Sequence, residues 1–343
     1  MSVKEYMSQS LSRGVTVTGC GSAVPHLSAS NDQLSQVVET SDEWIASRTG
    51  IRQRHIAGDG ETTSAIAAIA AQRALDMAQV DPQTVDLILL ATSTPDDLFG
   101  SASQVQAKIG ASKAVAFDIT AACSGFIVGL STAAQFIHSG AYQTILVIGA
   151  DLLSRWVDWS DRRTCVLFGD GAGAVVLQAG EDNGVLGFEL RSDGTQNSCL
   201  TLPYQAQTTA LSETISAQQG GFQPITMNGQ EVYRFAVRQV PEVIEKAAYR
   251  AGLSLGDLDW LLLHQANQRI LDAVAKRLRI ANDRVISNMA AHGNTSAASI
   301  PLALDEWVRQ GRIQPGDIIA AAGFGAGLTW GAAIFRWGAA TGS

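Results

Sequence analysis

Residues 85–93 read Val85-Asp86-Leu87-Ile88-Leu89-Leu90-Ala91-Thr92-Ser93, and residues 258–264 read Leu258-Asp259-Trp260-Leu261-Leu262-Leu263-His264. Each is a short, nearly unbroken apolar run behind an aspartate. A run that is apolar at every position, rather than at alternate ones, belongs to a strand covered on both faces, as in parallel sheets. Each run also comes after a helical pattern, residues 63–78 in the first case and 231–251 in the second. Both helices end in a short link bearing Asp or Gly.

The elements downstream of each run are repeated too. The first run is succeeded by a helix, a strand ending near Thr120, an apolar helix from Cys123, a strand at 144–149 and a closing strand at 171–177. The second is succeeded by a helix at 268–278, a strand at 284–288, a helix at 296–310, a strand at 317–322 and a closing strand at 331–335. Order, spacing and termination recur over about 170 residues per half. We therefore divide the chain into residues 1–183 and 184–343. The helix from Cys123 is apolar on nearly every face, through Phe126, Ile127, Val128, Leu130, Phe136 and Ile137. Such a helix is expected to be buried between two sheets. Two α/β halves with paired central helices predict a five-layered α-β-α-β-α sandwich. Between the halves, residues 181–229 are polar, rich in Gln and Gly and without a clear period, which predicts a long loop on the active-site side.

Composition narrows the function. The chain has 343 residues, 46% of them hydrophobic, enough for a large core. Its net charge of −8, with no long basic run, argues against a nucleic-acid partner. No stretch of about 18 uncharged apolar residues predicts a membrane span, and residues 1–13 do not read as a signal peptide. The cysteines, at 20, 123, 165 and 199, form no CxxC pair, which points to a reducing, cytoplasmic setting. The histidines, at 26, 55, 138, 264 and 292, show no HxxxH or HExxH spacing, so no metal site is expected.

Candidate chemistry converges on the seam between the halves. Cys123 lies in Asp118-Ile119-Thr120-Ala121-Ala122-Cys123-Ser124-Gly125-Phe126, where a strand gives way to a helix. Small neighbours leave room for a substrate, and the amides of a helix N-terminus are expected to lower the thiol pKa. His264 closes an apolar strand, and the carboxyl ends of parallel strands are where ligands bind. Asn294, in His292-Gly293-Asn294-Thr295-Ser296, precedes the second central helix. It reads either as a turn or capping residue or, because the duplication puts its turn opposite that of Cys123, as a third member of the site. His292 is expected to support this turn. The run 323–331 (Gly323-Phe324-Gly325-Ala326-Gly327-Leu328-Thr329-Trp330-Gly331) comes after a strand and lets backbone amides approach a reacting atom. Cys20 and Cys165, in strand-like runs, and Cys199, in the loop region, read as structural.

Five motifs carry a resemblance. Thr40-Ser41-Asp42-Glu43-Trp44-Ile45, Arg48-Thr49-Gly50-Ile51, Phe168-Gly169-Asp170-Gly171-Ala172-Gly173, His264-Gln265-Ala266-Asn267 and His292-Gly293-Asn294-Thr295-Ser296-Ala297 resemble the β-ketoacyl-[acyl carrier protein] synthase III family, over residues 15–337. The resemblance implies the thiolase fold, a homodimer, and the condensation of acetyl-CoA with malonyl-acyl carrier protein to begin fatty-acid synthesis. It makes Cys123 the acyl-accepting nucleophile, with the backbone amides of Cys123 and Ala326 as oxyanion hole. His264 and Asn294 become the pair that stabilises the enolate left by decarboxylation. The chemistry agrees, since an enolate oxygen needs neutral or positive donors and a carboxylate would repel it.

The same resemblance gives CoA contacts to Trp44, Arg48, Arg162 and Asn267, with Trp44 and Arg162 around the adenine. Arg163 stands where many relatives have Gly. Phe99, Phe168 and Phe324 are candidates for the acyl pocket, a residue near Phe99 reaching the other subunit's tunnel. Acyl carrier protein is acidic, so its docking needs a local basic patch. Arg269, Lys276 and Arg277 share one helix face, Arg234 and Arg238 add a second pair, and Gln265 is placed with them. No resident cofactor is implied; the CoA thioester is a substrate.

Elongating synthases use Cys-His-His, degradative thiolases carry a second reactive Cys in the C-terminal glycine loop, and plant-type polyketide synthases lack His-Gln-Ala-Asn. None of these matches as well. A papain-type hydrolase leaves the CoA-like motifs unexplained, and a catalytically dead acyl-CoA binder leaves the Cys-His-Asn set unexplained. A related synthase making a secondary metabolite from a longer or branched primer stays open.

Overall fold

A computed structural model describes residues 13–338. The N-terminal stretch read for a signal peptide lies outside the described residues, apart from Arg13. Two five-stranded sheets carry the fold. The first holds β1 (Gly14–Ala23), β2 (Leu87–Ala91), β3 (Val115–Ile119), β4 (Thr144–Leu152) and β5 (Asp170–Gly180). The second holds β6 (Val185–Ser192), β7 (Trp260–Leu263), β8 (Val285–Ile286), β9 (Ile318–Gly325) and β10 (Thr329–Arg336). Their orders are β1-β5-β4-β2-β3 and β6-β10-β9-β7-β8, so every strand of the second sheet is a strand of the first advanced by five. Strand directions repeat as well. In each sheet the strands of the two apolar runs, β2 and β7, pair in parallel with both neighbours, and the remaining pairings are antiparallel.

The main helices are α1 (Asp42–Thr49), α2 (Thr63–Ala78), α3 (Ala102–Lys108), α4 (Gly125–His138), α5 (Gly229–Arg250), α6 (Gln268–Leu278) and α7 (Ser299–Arg309). The pleat sorts side chains into layers. Leu87 and Leu89 of β2 face the central layer with α4 and α7, whereas Ile88 and Leu90 face α2. In β7, Leu262 faces the central layer, and Leu261 and Leu263 face α5 and α6. This alternation in a run that is apolar throughout is what covering on both faces requires. α4 buries Phe126, Ile127, Leu130, Ala133, Ala134 and Ile137 between the sheets, and a large apolar side chain buried there is worth about 1.5–3 kcal/mol. The result is the expected five-layered sandwich.

Residues 181–229 are not a loop. They hold β6, a 3-10 turn at Gly194–Cys199, a two-residue ladder between Leu200–Thr201 and Thr226–Met227, and a hairpin of Tyr204–Ala210 with Ser216–Phe222. β6 borders its sheet, with Phe188 and Leu190 on the central-layer face and Leu186, past a bulge at 185–187, on the face toward α5, while Glu189 is buried beneath Arg191 and Arg250 at 2.5 and 2.7 Å. The hairpin is exposed on both faces, which erases the period-two signal. Cys165 is buried in a turn, not in a strand.

The duplication reaches the seam turns. A 3-10 turn, Ala122–Ser124, leads into α4, and another, Ser296–Ala298, leads into α7. The first residue of each has a left-handed backbone, Ala122 at φ 46 and Ser296 at φ 52. Non-glycine residues held there cost of order 1–3 kcal/mol, which surrounding structure must offset.

Candidate active site

Cys123, His264 and Asn294 line one cavity of about 100 Å³. A second cavity, about 360 Å³, opens from Cys123 in another direction between Leu153, Phe168, Leu200, Leu202 and Ile225. Cys123 belongs to both, so a group carried on its sulfur reaches apolar space on one side and the imidazole and carboxamide on the other.

The glycine run brings β9 against the Cys123 turn. A Cβ on Gly325 would lie 2.9 Å from Cys123 N and 3.2 Å from its Sγ, and one on Gly323 would lie 2.9 Å from the Ser124 Cα. Only glycine allows this approach. Ala326 comes next and lines the larger cavity with Cys123. Among the described residues no backbone carbonyl takes up the amide of Cys123 or of Ala326.

Cys123 is 7% exposed. Burial pushes its thiol up to about 12, and the Asp151 charge adds to this. The Ser296 hydroxyl, donating to Sγ at 3.3 Å, works in the opposite direction. The expected lowering of the thiol pKa is therefore reversed. A helix terminus contributes at most about 2 kcal/mol, too little to bring such a thiol to neutrality. The resting residue is a thiol.

His264 extends the β7 ladder, its N–H donating to Ala322 O at 2.8 Å. It is 1% exposed, and burial pushes its pKa down to about 3, so the imidazole is neutral. Its Nδ1 lies 2.7 Å from Ser299 Oγ, which also accepts from the Gln265 N–H at 3.3 Å. Among the described residues the Ser299 hydroxyl hydrogen has no acceptor other than Nδ1. This assignment puts the ring proton on Nε2, where it can be donated into the cavity.

Asn294 lines the cavity with Cys123 and His264 and also serves its own turn. Its Oδ1 accepts from the Ser296 N–H at 2.9 Å, a turn contact. Because the oxygen is committed, the amide orientation is fixed and the Nδ2 hydrogens remain for another acceptor. Its backbone is clamped, N–H to Leu167 O at 2.9 Å and C=O from Gly169 N–H at 3.0 Å.

Trp44 and its two arginines form a group of their own. The Arg48 and Arg162 guanidinium carbons lie 4.6 and 5.3 Å from the indole centroid, and Arg162 donates to Glu39 O at 3.0 Å. Arg163 is exposed and paired with Asp161 at 2.8 Å. Asn267 caps α6 by accepting from Arg269 N–H at 2.9 Å, and it lines the cavity of His264.

Several expectations need correction. Gln265 is fully buried: its Nε2 donates to Leu263 O at 2.7 Å and its Oε1 accepts from Asn288 N–H at 3.2 Å. It supports the site from beneath and cannot meet a docking protein. Phe324 does not face the apolar cavity. Gly323 and Gly325 point at Cys123, so the pleat turns Phe324 the other way, edge-on to His264 with centroids 5.2 Å apart. Phe99 is 97% exposed and lines neither cavity. Phe168 lines both. In the basic patch, Arg269, Lys276, Arg234 and Arg238 are exposed, with Arg234 paired to Glu231 at 2.6 Å. Arg277 is exposed as well, one guanidinium nitrogen donating to Val237 O and Arg238 O at 3.1 and 3.2 Å.

Ser296, Ser299 and Asp151 went unread in the sequence. Asp151 Oδ1 accepts from Ser93 N–H at 2.7 Å and Oδ2 from Ala297 N–H at 3.1 Å, joining the first sheet to the Asn294 turn. The repeat held a signal for Ser296, which stands where Ala122 stands in the other half.

Solved structures share this architecture. The chain is 42% identical to 3-oxoacyl-[acyl-carrier-protein] synthase III from Aquifex aeolicus, covering 94% of this chain and 100% of that one, with a TM-score of 0.87. Against the corresponding synthase from Pseudomonas aeruginosa it is 44% identical, covering 95% and 99%, with a TM-score of 0.86. The molecule is a thiolase-fold condensing enzyme, an acyltransferase. Residues 117–194 match the family model for 3-oxoacyl-[acyl-carrier-protein] synthase III, and residues 249–337 match that for its C-terminal part. The chain is also 65% identical to a β-ketoacyl-[acyl-carrier-protein] synthase III of Acaryochloris marina, covering 96% of this chain and 99% of the relative. It therefore belongs to the β-ketoacyl-[acyl-carrier-protein] synthase III family.

Proposed function

We propose that this chain condenses acetyl-CoA with malonyl-acyl carrier protein, by way of an acetyl group on Cys123, and so begins fatty-acid synthesis. The observation that carries this reading is the shared cavity of a buried thiol, a neutral imidazole and an oriented carboxamide. In the first half-reaction the Cys123 sulfur attacks the thioester carbonyl, the oxyanion falls to the amides of Cys123 and Ala326, and CoA leaves as thiol with the proton Cys123 gives up. In the second, malonyl-acyl carrier protein loses carbon dioxide. The enolate oxygen accepts from His264 Nε2–H and Asn294 Nδ2–H, and the enolate carbon attacks the acetyl carbonyl. Acetoacetyl-acyl carrier protein leaves, and the Cys123 thiolate takes a proton from solvent. No resident cofactor is needed, because decarboxylation itself supplies the carbanion equivalent.

Incubation with acetyl-CoA followed by intact-mass measurement tests the reading. An acetyl adduct that disappears in Cys123→Ala supports it. Acetate without adduct indicates a hydrolase, and no reaction indicates a binder. A series of acyl-CoA lengths addresses a second reading, a longer or branched primer. That reading draws on the cavity, larger than an acetyl group needs, and on the likeness to the priming β-ketosynthase of the R1128 polyketide pathway (34% identity, TM-score 0.87, covering 95% of this chain and 97% of that one).

For CoA, Trp44 and Arg162 frame the adenine, which must lift Arg162 from the indole to enter. Arg48 meets a phosphate, and Asn267 bonds the pantetheine arm. Acyl carrier protein docks on α5 and α6 through Arg269, Lys276, Arg234 and Arg238. Arg269→Glu is expected to raise the KM for malonyl-acyl carrier protein about tenfold, on the scale of a charge reversal in a docking contact, and to leave acetylation of Cys123 within twofold. Equal losses in both half-reactions count against this face.

The two halves, 1–183 and 184–343, act as one catalytic unit in the cytoplasm, and the chain forms a homodimer. β3 pairs with β2 on one side only, and Val115 and Phe117 on it are 48% and 41% exposed. An unprotected edge bearing apolar side chains invites a second copy across a two-fold axis. In that arrangement Phe99 reaches the partner's acyl tunnel. Phe117→Glu is expected to shift the mass in sedimentation velocity from dimer to monomer. A dimer that persists through this change requires another interface.

A further inference from the structure

Behind the Asn294 turn, outside both cavities, Glu306 of α7 holds two side chains. Its Oε1 lies 2.6 Å from His292 Nε2, and its Oε2 accepts from Asn288 Nδ2 at 2.9 Å. His292 Nδ1 is buried with no partner among the described residues. Glu306 is therefore the one polar contact that orients the ring, which otherwise stacks on His55 with centroids 5.3 Å apart. Burial alone would raise the Glu306 carboxyl, but bonds from His292 and Asn288 hold it below its usual range.

The turn itself is tight. Gly293, at φ 64 and ψ −154, links His292 to Asn294. The His292 carbonyl packs so closely on Gly169 that a Cβ there would come within 2.4 Å of it. The other end of the turn is fixed separately, by Asp151 accepting the Ala297 amide and by Ser296 donating to Cys123. Two anchors thus divide the segment. Asp151, on the first sheet, serves the part that meets the nucleophile. Glu306, on α7, serves the part that leads into the Asn294 backbone.

We infer that Glu306 and His292 are positioning residues for Asn294, setting the place of its backbone from the N-terminal side of the turn, while the Ser296 N–H orients the carboxamide, so that the enolate half-reaction depends on them and thioester exchange at Cys123 does not. The inference rests on the role proposed above for Asn294. A carboxamide donor must lie within hydrogen-bond reach of a thioester oxygen that becomes negative only as carbon dioxide leaves, and misplacement by about 1 Å can cost about a hundredfold.

The test measures the two half-reactions apart: acetylation of Cys123 by acetyl-CoA, followed by mass, and carbon dioxide release from malonyl-acyl carrier protein. Glu306→Gln replaces one acceptor with a donor. It is expected to lower the kcat for carbon dioxide release about tenfold, part of that range, with the KM for malonyl-acyl carrier protein and the acetylation rate within twofold. Adding Asn288→Asp lets the new amide donate to a carboxylate while its oxygen still accepts from His292, and is expected to restore most of the rate. His292→Ala, which removes the anchored ring, is expected to match or exceed the loss in Glu306→Gln. An equal fall in both half-reactions, a loss that Asn288→Asp does not rescue, or no loss at all overturns the inference. If the unaltered enzyme is neither acetylated nor releases carbon dioxide, the reading of the site itself has failed instead.

Discussion

Cys123→Ala is expected to lower condensation by about four orders of magnitude or more, in line with removal of a covalent nucleophile, and to leave decarboxylation of malonyl-acyl carrier protein measurable. The division stems from the cavity. In the proposed reaction enolate formation draws on His264 and Asn294, whose orientations depend on Ser299 and on the Ser296 amide, and neither contact involves the sulfur. Removing Sγ also deletes an acceptor of the Ser296 hydroxyl and widens a cavity that already exists. The expected stability change is therefore small, about 1 kcal/mol, and a melting curve verifies that lost turnover is not lost fold. Carbon dioxide release and acetoacetyl product are assayed side by side. If both vanish together, the thiol has a part in decarboxylation that this geometry does not give it. If product persists, the nucleophile is another residue.

The sequence carried the two-sheet plan because the residues that make it are unambiguous. Leu87 to Ala91 and Leu261 to Leu263 are apolar at every position, and few environments other than a doubly covered strand accept that. α2 and α6 were legible to the residue, since their apolar positions and caps agree. β6 was not, because a bulge at 185–187 breaks its alternation and Glu189 puts a carboxylate on a buried face. Only the structure shows that carboxylate held by Arg191 and Arg250. The exposed hairpin has no buried face and so leaves no trace in hydropathy.

The site divides in the same way. The turns of Cys123 and Asn294 were found through the repeat, which depends on chain order. Contacts that depend on the third dimension were missed. Gln265 looks like a surface residue after a strand, yet its amide is spent on Leu263 and Ile286. Ser299 and Asp151 are ordinary letters until folding brings them to His264 and Ala297. The thiol pKa was misjudged because a helix terminus is visible in sequence and the extent of burial is not.

Asn294→Asp carries the second large effect. The replacement is nearly isosteric, and the oxygen that accepts the Ser296 N–H is retained, so the turn keeps its shape. The change falls on the group facing the cavity: a donor N–H becomes a second acceptor oxygen, charged whenever the acid is ionised. A carboxylate beside a forming enolate oxygen repels it, and losing one oxyanion donor costs about 10²–10³ in kcat before any repulsion is added. Carbon dioxide release and condensation are therefore both expected to fall by at least about a hundredfold. In the proposed reaction, acetylation of Cys123 places its negative charge instead at the amides of Cys123 and Ala326, and it is expected to stay within a few fold. The pH dependence has a definite sign. Protonation of the new carboxyl removes the repulsion and restores a donor, so the variant is expected to recover part of its activity as pH falls. The chain with Asn294 has no group at that place to titrate. Rates of carbon dioxide release measured for both proteins from neutral to mildly acid pH decide the matter. A variant that condenses at the normal rate, or loses acetylation in equal measure, removes Asn294 from the enolate site.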